Sequence, residues 1–135
     1  MNITVIDGQG GQLGAQVIKS MLARFPESIV TAVGTNTVAT AAMLKAGAAE
    51  AATGENPVVV AARKSDVIIG PIGIVIADSM GGEITPRMAV AVGQAEAVRI
   101  LIPMNRCDNL VAGVAEGNTA ALIEDVMRKL AALTA

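Results

Sequence analysis

The sequence predicts a single doubly wound α/β domain over residues 1–135: one mostly parallel sheet with helices on both of its faces. Three observations carry that prediction. Short β-branched apolar runs alternate with amphipathic stretches along the whole chain, a glycine-rich turn links the first run to the first amphipathic stretch, and the composition is 53% apolar. That apolar share is enough to cover a sheet twice. Neither an internal repeat nor a low-complexity linker interrupts it.

The elements follow in order. Ile3 to Ile6 is a short buried strand. Leu13, Val17, Ile18, Met21, Leu22 and Phe25 recur at helical spacing while Lys19 and Arg24 fall on the opposite side, and Pro26 closes that helix. Ile29 to Val33 forms the second strand. Thr35, Asn36 and Thr37 offer capping side chains for a helix ended by Gly47. A weak third strand is expected at Ala49 to Ala52, then a helix started by the Asn56-Pro57 pair and running to about Lys64. Asp66 to Gly70 is the fourth strand, and residues 71–80 fit either a buried helical turn or an apolar loop. Thr85-Pro86 starts the next helix, Val98 to Ile102 gives the fifth strand, and Leu110 to Val114 is expected to be a sixth. The last helix begins near Asn118 and turns Leu122, Ile123, Val126, Met127, Leu130 and Leu133 inward. Right-handed crossovers give the strand order 3-2-1-4-5-6. The carboxyl ends of strands one and four then meet at the switch point, where sheets of this kind bind ligands.

Composition narrows the function. A net charge of −2, no basic run and a single aromatic residue argue against nucleic-acid binding. The longest apolar run, Val67 to Ala77, contains Pro71, is too short to span a bilayer and has aspartates on both flanks, so no membrane association is expected. The opening Met1–Asp7 segment lacks the layout of a secretion signal, which makes the cytoplasm the expected location. A core of Ala, Val, Ile, Leu and Met with one Phe buries little area per side chain, and a homo-oligomer is expected to cover the remainder. Without His or Tyr, acid–base chemistry would fall to Asp, Glu, Lys, Arg, Cys107 or hydroxyl groups. Asp78, Glu83 and Arg87 cluster around Gly81-Gly82 and are candidates to reach the same rim; no spacing of ligands suggests a metal, since Asp78 and Glu83, five apart, match no known pattern.

The strongest chemical signal is Gly8-Gln9-Gly10-Gly11-Gln12-Leu13-Gly14. It follows a strand and opens a helix, the context in which glycines let a phosphate approach the unpaired N–H groups and positive dipole of a helix N-terminus. The spacing Gly8, Gly11, Gly14 resembles the nucleotide loop of short-chain and extended dehydrogenases. The alternative is a turn that merely packs helix on sheet. Asp7 either faces a ligand or caps the loop amides itself. The second strand ends in Gly34-Thr35-Asn36, with no acid to hold a ribose, so Thr35 and Asn36 are candidates for sugar or phosphate contacts as well as for helix capping. A second glycine turn, Gly70, Pro71 and Gly73, is expected across the crevice, and Asn105 and Arg106 on the rim after the fifth strand.

Several blocks, among them Val5-Ile6-Asp7-Gly8-Gln9-Gly10-Gly11, Gly34-Thr35-Asn36-Thr37, Ala52-Thr53-Gly54-Glu55-Asn56, Gly70-Pro71-Ile72-Gly73-Ile74 and Gly82-Glu83-Ile84-Thr85-Pro86, resemble a small bacterial family of domain-of-unknown-function proteins. The resemblance implies a compact Rossmann-like three-layer sandwich and no particular activity. Three functions stay open. The first is a nucleotide- or dinucleotide-binding sensor or regulatory module, with NAD(P) or another nucleotide, or a small phosphorylated ligand, on the glycine loop. The second is a small NAD(P)-dependent or phospho-metabolite enzyme using Asp7, Asp78, Glu83 or Cys107. The third is a structural oligomer subunit whose crevice is filled by its own side chains.

Overall fold

The computed structural model describes residues 1–104, 109–114 and 118–134. Five strands, β1 (Ile3–Asp7), β2 (Val30–Gly34), β3 (Glu50–Thr53), β4 (Val67–Pro71) and β5 (Val98–Ile102), form one sheet in the order β3-β2-β1-β4-β5. Every neighbouring pair is parallel, with Ile3 opposite both Val30 and Val67. The helices are α1 (Gln12–Arg24), α2 (Thr37–Lys45), α3 (Glu55–Lys64), α4 (Pro86–Gly93) and α5 (Thr119–Thr134).

The two-residue period of the strands divides the core into two layers. Ile3 and Val5 of β1, Val30 and Ala32 of β2, Val67 and Ile69 of β4 and Ile100 and Ile102 of β5 point to one face, where α1, α2 and α5 cover them with Val17, Ile18, Met21, Met43, Val126, Met127 and Leu130. Ile6, Val33 and Ile68 point the other way, against Val58 and Ala62 of α3 and Met88 and Val92 of α4. This is the three-layer, Rossmann-like α/β arrangement that the alternating sequence pattern predicts.

Several local signals behave as expected. Asn36 caps α2, its side-chain oxygen accepting from the Ala39 amide at 2.8 Å. Thr85 caps α4 with Pro86 at the first helical position, and Asn118 accepts from Ala121 N ahead of α5. Three expectations need correction. Leu110 to Val114 is not a strand: Leu110 is 93% exposed and the stretch turns at Gly113, whose φ is +82°. The physical reason is reach. Residues 103–109 are too few for a crossover to a sixth parallel strand, which takes about a dozen residues or more. Asn56 does not cap α3, which begins one residue before it at Glu55 after Gly54. Finally, Gly70 ends the fourth strand region as expected, but Pro71 also belongs to β4 rather than to a glycine turn, and residues 72–75 form the short helical turn, one of the two alternatives expected there.

The crevice at the glycine turn

The order β2-β1-β4 places the carboxyl end of β1 between those of its two neighbours, so the segments leaving all three converge on one rim. The turn after β1 closes with Gly11 N donating to Gly8 O at 2.9 Å, with Gln9 and Gly11 both at positive φ (51° and 73°). Three glycines in it have packing duties. A Cβ on Gly8 would lie 2.6 Å from Thr35 Oγ1 and 2.9 Å from Met80 Sδ, one on Gly11 2.6 Å from the Ala39 backbone, and one on Gly14 2.6 Å from Met43 Sδ and 2.9 Å from Asp7 Cβ. Gly10 differs. A Cβ there would meet only Gln12 Cγ, at 4.0 Å, and the residue is exposed.

Asp7 is the pin beneath the turn. It is 2% exposed, and its two oxygens accept from Gly8 N and Gly14 N, each at 2.8 Å. Burial pushes its carboxyl above the usual carboxylate range against the opposing pull of those two N–H groups, and the nearby Glu83 charge adds to the rise. Asp7 therefore caps the loop amides itself.

Above the turn lies Glu83, carried by the segment after β4. Its Oε1 accepts from Gln9 N at 2.9 Å, Thr35 Oγ1 at 2.6 Å and Asn36 Nδ2 at 2.7 Å. Asn36 Nδ2 also donates to Gln9 O at 2.9 Å. Partial burial opposes ionisation of Glu83, but the hydrogen bonds from Thr35, Gln9 and Asn36 outweigh it and hold the carboxyl below its ordinary value. Gly8, Gln9 and Gly14 thus already use their amides, whereas those of Gly10, Gln12 and Leu13 form no hydrogen bond among the described residues. Gly11, at the N-cap of helix α1, has no side chain to cap it and the first turn holds no acid of its own; the side-chain acceptor there is Asp7, at Gly14 N.

Other sequence candidates are placed differently. Gly70, Pro71 and Gly73 are buried; a Cβ on Gly70 would lie 2.4 Å from Ile6 O, and Gly73 O accepts from Ser79 Oγ. Gly70 thus packs directly against the β1 backbone. Asp78 is exposed and Arg87 pairs with Glu55 at 3.4 Å, so neither joins Glu83 at the turn. Asn105, Arg106 and Cys107 lie outside the described residues. Among the described residues no three His, Cys, Asp or Glu side chains gather as a metal cluster would require, and no helix is long and apolar enough to cross a membrane. Three surface grooves, of about 590, 670 and 710 Å³, lie elsewhere, and none includes the glycine turn.

The sequence groups Glu83 with Asp78 and Arg87 around Gly81-Gly82 and puts them near the rim, without assigning Glu83 to the glycine turn 74 residues earlier. The usable signal was topological: β4 adjoins β1, so the segments that follow them share a rim. Fold and rim define a parallel-sheet α/β protein with a strand–glycine turn–helix unit at its switch point. The chain belongs to the family described as Domain of unknown function (DUF3842), whose profile matches residues 2–135. No curated protein and no solved structure matches it.

Proposed function

We propose that the chain is a nucleotide- or dinucleotide-binding module of sensor or regulatory type, with the ligand's phosphate on the α1 N-terminus. The observation that carries this reading is the uncommitted N–H set of Gly10, Gln12 and Leu13 beside a glycine that neither packing nor backbone conformation demands. A phosphate there would meet main-chain donors and the positive end of the helix dipole. Thr35 and Asn36, whose donors serve Glu83 in this structure, stand at the end of β2 where they would meet the remainder of the ligand once Glu83 releases them. A binding role is favoured over an enzymatic one because both oxygens of the buried Asp7 are engaged by main-chain N–H groups, and the nearby Glu83 is itself held by Gln9, Thr35 and Asn36.

The packing duties of Gly8, Gly11 and Gly14 favour one rival, a structural subunit whose crevice is filled by Glu83. A thermal-shift panel of NAD, NADP, ATP, coenzyme A and sugar phosphates separates the two. A ligand at about 100 times its Kd adds about 2.7 kcal/mol, a rise of roughly 9 °C for a chain of this length. No rise with any member of the panel would refute the binding role. Because the chain has no Trp or Tyr, a nucleotide carried through purification would also stand out near 260 nm.

A further inference from the structure

The segment between the 3-10 turn and α4 is built at a conformational cost. Asp78 and Met80 adopt positive φ (64° and 56°), followed by Gly81 and Gly82 at 66° and 93°. Left-handed backbone at non-glycine residues persists only where the surroundings enforce it. Here they do: Asp78 N donates to Ile84 O at 2.7 Å, Ile84 N to Ser79 O, and Ser79 Oγ to Gly73 O, while Met80 and Ile84 are buried. Gly81 and Gly82 form the tip, with open space where side chains would be. This hydrogen-bonded arch carries Glu83 over the glycine turn.

Glu83 meets three donors there, all on Oε1 and from two segments: Gln9 N in the turn, and Thr35 Oγ1 and Asn36 Nδ2 after β2. These are donors that an anionic ligand on the same rim would need. The other charge facing it is Asp7, below the turn, which adds to the negative field. We infer that Glu83 is a built-in anion that occupies the crevice and competes with negatively charged ligands: an autoinhibitory contact. An anionic ligand whose phosphate sits on the Gly10, Gln12 and Leu13 amides takes over the neighbouring Gln9, Thr35 and Asn36 donors, and the Glu83 side chain swings out while the arch stays in place.

The inference rests on the proposed anion site, and the test separates the two. Inorganic pyrophosphate, which has no sugar, is titrated by calorimetry into the wild-type chain and into Glu83→Gln. Gln keeps an acceptor for the three donors and removes the charge, and circular dichroism confirms its fold. Removing a unit negative charge one residue from the vacant amides is expected to tighten binding about tenfold or more at low salt. Glu83→Ala, which also frees the three donors, is expected to bind at least as tightly as Glu83→Gln. Equal or weaker binding by both variants, with the wild type still binding, overturns the competitor role and leaves the anion site standing. Absence of binding by all three chains overturns both.

Discussion

Asp7→Ala is the sharpest probe of how the glycine turn is held. The substitution strips two buried N–H donors, Gly8 N and Gly14 N, of their acceptors at 2.8 Å. An unsatisfied buried donor costs about 1–3 kcal/mol. Against that loss stands the relief of a carboxylate that burial disfavours, visible in its raised pKa. The net expectation is a destabilisation of about 2–4 kcal/mol, or roughly 7–14 °C in Tm at about 3–4 °C per kcal/mol for this length. Far-UV circular dichroism with urea denaturation is the suitable assay, since the chain has no Trp or Tyr to report by fluorescence. Asp7→Asn retains one acceptor but turns an amide donor toward a second donor, so it falls between wild type and Asp7→Ala. An Asp7→Ala variant within about 0.5 kcal/mol of wild type would refute the pin, because surface changes alone give that much.

The other predictions can be tested on the same variants and assays. Gly11→Ala puts a Cβ at positive φ and 2.6 Å from the Ala39 backbone, so it is expected to lose about 2 kcal/mol or more in urea titration, whereas Gly10→Ala leaves stability unchanged and weakens ligand binding. Equal stability of the two variants would contradict this assignment of packing duties. Glu83 has a depressed pKa, so its contribution to stability is present above pH about 4.5 and fades as pH falls through its folded value; Glu83→Gln removes that loss from the pH profile of unfolding. Asp7 has the opposite sign. Its raised pKa makes stability rise as pH falls from the folded value toward 3.8, and Asp7→Asn flattens that window. Self-association is proposed through the groove lined by Met1, Phe25, Ile29 and Leu133 at the amino ends of the strands, where Ile29 is 72% and Met1 60% exposed. Light scattering should show more than one subunit for wild type and a smaller species for Ile29→Glu; a monomeric wild type would contradict it.

Much of the fold was legible because its signals are local. The run Ile3–Ile6 is a strand because β-branched and apolar residues suit a doubly covered sheet, Val98–Ile102 is an edge strand that sends Ile100 and Ile102 into the core, and Thr85-Pro86 and Asn118 announce their helices through cap chemistry that acts within four residues. The errors came where local composition was ambiguous. Leu110 to Val114 has strand-like residues, yet the connection from β5 is too short to bring it alongside. Asn56-Pro57 reads as a cap and first helical position, but Gly54 at φ +108° starts the helix earlier and leaves Pro57 in the first turn, where its missing N–H costs nothing. The turn at residues 8–14 was visible as a motif, and Asp7 as a possible cap. The role of Glu83 was not, because it depends on an arch closed by contacts such as Asp78 N to Ile84 O and on a strand order that brings distant segments together.

The account depends on the amides of Gly10, Gln12 and Leu13 receiving negative charge. The direct measurement is a nitrogen-15 amide NMR titration of the wild-type chain with NAD and, separately, ADP. The account predicts that the largest shifts fall on these three residues, with Thr35 and the Asn36 side-chain amide following and Gly14, pinned by Asp7, moving little. A saturating titration that leaves these signals in place, or moves only residues at the other end of the sheet, would contradict it.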